Sequence, residues 1–133
     1  MNKYELIKTE TRIINGKTLY RIKALKSFGN VKKGDIGGYI GAEHNLSHTL
    51  SAWVYDDACV FEKARVSGKA KVSGNACVSG SAHVYENAKV SGYVFVCRSA
   101  RVYGNAQVTE AAFITRNARV AGDGIISGNT LVT

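Results

Sequence analysis

No apolar run in this chain of 133 residues is long enough to cross a bilayer, and no basic segment followed by an apolar one opens it. Those two absences predict a cytoplasmic, unprocessed protein with no membrane association. Cysteine is scarce as well. Cys59, Cys77 and Cys97 are an odd number with no Cys-x-x-Cys pair, which argues against a disulfide framework and a structural zinc site, so no metal is expected. The Gly-Asp-Ile-Gly-Gly stretch at 34–38 lacks the Lys-Ser/Thr that a phosphate-binding loop needs, and no cofactor is expected. Acidic residues are also few, ten against 18 Lys and Arg, for a net charge of +8. Both parts of the chain share the excess: residues 1–51 hold nine basic against four acidic side chains, and residues 52–133 nine against six. Such a surface favours polyanions or acidic protein surfaces.

What is present is repetition. Ala64 to Val84 reads ARVSGKAKVSGNACVSGSAHV, and stepping by six from Ala52 meets a small residue almost every time to Thr130. Two places after each stands a β-branched residue, from Val54 through Ile114 to Val132, with no insertion or deletion. Inward positions at i and i+2 belong to a strand, since a helix would put them on different faces. A turn every six residues then closes the strands into an all-β parallel β-solenoid of three short sides, about 18 residues per coil. Glycines such as Gly68, Gly74 and Gly80, with Asn75, Asn87 and Asn105 beside that position, mark the corners, because Gly and Asn tolerate left-handed backbone.

The expected domains are a solenoid at 52–133 and an N-terminal cap and junction at 1–51. Within the cap, Asn15-Gly16 sits between two β-rich runs of Thr11 to Leu25 and predicts a hairpin, while Lys26 to His48 reads as a loop. Extending the hexad backward places Leu46 in the small slot and His48 in the aliphatic one.

Residues 18 apart stack in successive coils, so the outward letters sort into three faces. The first holds Trp53, Lys71, Lys89, Gln107 and Ile125 and reads as mixed and solvated. The second holds Cys59, Cys77, Phe95, Phe113 and Leu131, with Phe61 and Cys97 alongside. This apolar stripe is expected to be a self-association surface or the seat of the hairpin. The third holds Arg65, His83, Arg101 and Arg119, flanked by Tyr85 and Tyr103, a basic and aromatic stripe suited to an acidic protein or to a phosphate backbone. The last coil, near Ile126, Leu131 and Val132, presents open strand edges that predict end-to-end homo-oligomers. No catalytic residue is assigned. His83 points outward from a flat side without a cleft of its own, His44 and His48 fall in the junction, and Glu43 is placed to pair with either.

The hexads, together with KGDIGGYIGAEHNLSH at 33–48 and AWVYDDACV at 52–60, resemble the hexapeptide-repeat superfamily and, within it, YdcK-like β-solenoid proteins, many of them encoded by phages and prophages. The resemblance implies a left-handed β-helix. With no catalytic residue assigned, the outer faces are expected to make the chain a non-enzymatic binding or scaffolding module, and the resemblance implies a host protein or complex as its partner in the host cytoplasm. One such task would be to disable a nucleic-acid-guided defence complex, making the chain an anti-CRISPR candidate. An acyltransferase of the same superfamily is an alternative, but there Gly commonly follows the aliphatic residue directly and a loop carries the catalytic His. Here Gly comes one place later and no loop interrupts the hexads. A polymer-forming protein of bactofilin type is the other alternative.

Overall fold

The computed structural model describes residues 2–133. Each hexad contributes one two-residue strand, from Trp53–Val54 to Leu131–Val132, and these strands stack in parallel on three sides. The outward ladders predicted from the 18-residue spacing are in register: Lys71 lies beside Lys89, Cys77 beside Phe95, and Arg101 beside both His83 and Arg119. Backbone N–H groups donate from coil to coil, as from Lys71 to the Ala88 carbonyl at 3.0 Å and from Cys77 to that of Val94 at 2.8 Å. Inside, the small and aliphatic columns are buried from Ala52 and Val54 to Ala118 and Val120. A fully buried Val contributes roughly 1.5–3 kcal/mol, so this thin column is the main source of cohesion. At the far end Ile126 and Val132 are only half-buried and Leu131 is exposed.

The corners adopt left-handed backbone at Gly68, Gly74, Gly80 and their equivalents. Where glycine is missing, the position is taken by Asp56, Glu62, Glu86, Arg98, Glu110 or Arg116, all with φ between 56° and 65°. The asparagines expected to share this role instead follow the left-handed residue. Two of the acids offset their strain locally: the Asp56 carboxylate accepts the Gly74 N–H and that of Glu62 the Gly80 N–H, both at 2.9 Å.

The N-terminal segment forms β1 (Tyr4–Ile14) and β2 (Lys17–Ala24), an antiparallel pair turning at Asn15 and Gly16, both at positive φ. β1 reaches further back than the sequence suggests, across an irregularity between Ile7 and Thr11. The Lys26–His48 stretch is not only a loop. It contains β3 (Ile36–Ile40), antiparallel to β2 on one side and parallel to Cys59–Val60 on the other, so the hairpin extends the second face of the solenoid into an eight-stranded sheet.

The parallel ladder therefore starts ahead of Ala52, with a changed phase. Leu46 bridges Val66 and is fully buried, which puts it in the aliphatic slot; two extra residues between Leu46 and Val54 carry His48 out of the core. A short 3₁₀ turn, Glu43–Asn45, replaces the regular corner. There the buried Asn45 amide fills its hydrogen-bonding capacity, accepting from the Gly41 and Ala42 N–H groups and donating to the Glu62 and Ala64 carbonyls. It splices an irregular turn onto the regular stack without leaving a buried polar group unpaired.

Candidate functional site

The third face is a four-strand sheet carrying Arg65, His83, Arg101 and Arg119 on consecutive rungs. The three arginines are exposed, and none joins an ion pair; among the described residues the ion pairs are Arg21–Asp57 and His48–Glu43, both at 2.8 Å. His83 is half-buried and accepts or donates a hydrogen bond at 2.9 Å with the Ser67 hydroxyl. Burial lowers its pKa, and the flanking charges of Arg101 and Arg65 lower it further, so the imidazole is neutral at neutral pH. The row thus presents three fixed positive charges with a neutral ring among them.

Alongside runs an aromatic ridge. The His83 ring packs on Tyr85 at 4.2 Å, and Tyr85 stacks on Tyr103 at 4.9 Å with planes 8° apart. The rungs hold these rings face to face at the strand spacing, so no gap remains between them for a third ring. At the cap end, the face opens into a recess of about 390 Å³ that brings together His44, His48, Ser47, Ser67, Arg65 and His83. His44 Nε2 lies 2.7 Å from the Glu62 carbonyl. His48 stacks on Tyr4 at 4.1 Å, takes the Lys3 backbone N–H at Nδ1 and reaches Glu43 through Nε2. Sequence reasoning missed Ser67 and Ser47; the available signal was that Ser67 immediately follows the inward Val66, at the edge of this face.

The second face is divided. Cys59 and Phe61 are buried with Leu19 beneath the hairpin, and Ile14, Tyr39 and Cys77 pack around them. Arg12 donates to the Cys59 sulfur at 3.2 Å, and burial beside Cys59 pushes the Cys77 thiol up to about 12, so both are packed, protonated thiols. Cys97 contacts the Thr115 hydroxyl at 3.4 Å. Beyond the hairpin, Phe95 and Phe113 lie 5.8 Å apart, 48% and 39% exposed, with Leu131 exposed beyond them. The hairpin therefore occupies the start of the stripe and leaves its remainder open.

Residues 70–86, AKVSGNACVSGSAHVYE, match the YdcK β-solenoid repeat. That likeness is to the repeat unit and spans about one coil of the rod. A search of curated proteins gives no match. The matched YdcK stretch takes one outward residue from each face, Lys71, Cys77 and His83, and its inward letters are those of the core. No helix among the described residues is long and apolar enough to cross a membrane.

Proposed function

We propose that this YdcK-type solenoid is a non-enzymatic binding module whose third face engages an acidic protein surface. The observation that carries the reading is the row Arg65, Arg101 and Arg119, exposed, without acidic partners and held on rigid stacked rungs. Like charges at strand spacing repel one another, and an acidic partner turns that cost into attraction. The closed Tyr85–Tyr103 stack favours protein over single-stranded nucleic acid, because bases stack on free aromatic faces. Capture of a host complex, the role implied by resemblance to prophage-encoded solenoids, is one form such binding takes. Arg101→Glu is expected to weaken retention of captured proteins about tenfold in a salt-dependent manner, judged by quantitative pull-down from host lysate after nuclease treatment. Equal retention by wild type and variant, or loss of all capture on nuclease treatment, defeats the proposal.

A second contact is supported by the paired, exposed Phe95 and Phe113 rings: a self-association surface joining two rods side by side. Both side chains point outward, so Phe95→Ser with Phe113→Ser leaves the core intact. That double variant should sediment at a lower mass than the wild type, and an unchanged mass removes the second contact.

A further inference from the structure

The first face, read from sequence as merely solvated, holds a trough. Lys71 and Lys89 face each other across one rung, and a cleft of about 420 Å³ gathers them with Lys69, Asn87, Asn105 and Gln107. A second recess of about 350 Å³ shares Lys71 and Lys89 and adds the hydroxyls of Ser73 and Ser91. Two features make the region concave. The Gly29–Asn30 loop of the cap overhangs one end, fixed there by the Phe28 ring against the buried Trp53 at 5.2 Å, and half-buried Tyr55 forms part of the wall.

From these features we infer that the trough binds an anionic sugar, a polyhydroxylated ring bearing a phosphate or carboxylate group. Lys71 and Lys89 sit at the rung spacing of about 4.8 Å, where two like charges repel unless an anion lies between them. Neither they nor Lys69 has a carboxylate within ion-pair distance among the described residues. One acid, Asp56, lines the second recess, and its carboxylate is turned onto the Gly74 N–H at 2.9 Å. Ammonium groups donate only, whereas the Asn and Gln amides and the Ser hydroxyls both donate and accept, the mixture that a ring carrying hydroxyls needs. The volume lies at the lower end of the range for small-molecule sites, roughly 300–1,000 Å³, and suits a monosaccharide or disaccharide rather than a polymer. The trough lies on a different side from the arginine row, so this inference stands apart from the partner-binding reading.

Calorimetric titration with glucose 6-phosphate, glucuronate, glucose and inorganic phosphate tests it. The expected result is millimolar or tighter binding of glucose 6-phosphate or glucuronate, at least about tenfold tighter than glucose or inorganic phosphate. The stronger of the two anionic sugars identifies the charged group. Lys71→Gln with Lys89→Gln should weaken that binding about tenfold or more, with an unchanged circular dichroism spectrum showing that the rod is intact. Lys63→Gln, at an exposed lysine outside both recesses, should leave it unchanged. Inorganic phosphate binding as tightly as the sugars shows a counter-ion site only and overturns the inference, as does equal binding by the double glutamine variant or no binding by any probe.

Discussion

Gly38→Val is expected to dislodge the cap from the solenoid. A side chain at Gly38 would begin 2.5 Å from the Ala58 carbonyl oxygen and 2.8 Å from a Val54 methyl. The carbonyl belongs to backbone held in place, since it accepts the Tyr39 N–H at 2.9 Å, so it cannot swing aside as a flexible side chain would. Valine favours strands, and backbone preference alone would count in its favour. Overpacking dominates, at about 3 kcal/mol or more against a typical total stability of about 5–15 kcal/mol. Because stacked coils contact mainly their neighbours, the damage should be local. Hydrogen exchange should speed at the Tyr39 and Gly41 amides, which join β3 to the next coil, while Lys89 and Phe95 deeper in the rod stay protected. Unchanged protection at Tyr39 and an unchanged denaturation midpoint would show that β3 does not approach the coil so closely. Gly38→Ala should fall between valine and wild type.

This position also explains what the sequence could and could not reveal. The three ladders were legible because the core needs two inward residues per side, and a strict six-residue step sorts the outward residues by simple counting. The same requirement governs β3, where Ile40 fills the aliphatic slot beside Val60, but the small slot is Gly38, and with Gly37 and Gly41 beside it the stretch reads as a loop. At Gly38 even the methyl of the usual alanine would be too large. The phase change at Leu46 was hidden too. Only a tertiary contact, Leu46 beside Val66, with the Asn45 amide bridging to the next coil, shows that two residues have been inserted. The trough was invisible for a related reason. Its floor is written in the repeat, at Lys71 and Lys89, but its end wall is the Gly29–Asn30 loop, whose place depends on packing between Phe28 and Trp53.

The cap also contains a charge whose cost can be read against pH. Lys3 is fully buried at the head of the core, its ammonium donating to the Ala52 carbonyl at 2.6 Å and lying 4.8 Å from the Phe28 ring centre. Burial, aided by the nearby charge of Lys26, lowers its pKa from 10.5 to about 8. The unfolded chain therefore keeps this proton to higher pH than the folded one. Between those two values the unfolded state binds more protons, so the Lys3 contribution to stability rises with pH; below about 8 the full penalty of burying the ammonium is present. A difference of that size is worth about 3 kcal/mol. Cys77 works in the opposite sense, because its folded pKa is raised to about 12 and the stability it adds is lost as pH climbs from its unfolded value of 9. Comparing wild type with Lys3→Met cancels this and every other shared group. Denaturant unfolding at about pH 7 and about pH 10 should show the wild type gaining on the variant by up to about 3 kcal/mol. A pH-independent difference would mean that the Lys3 ammonium stays solvated in the folded protein, and that the head of the core is open to water where Lys3 and Tyr4 now close it.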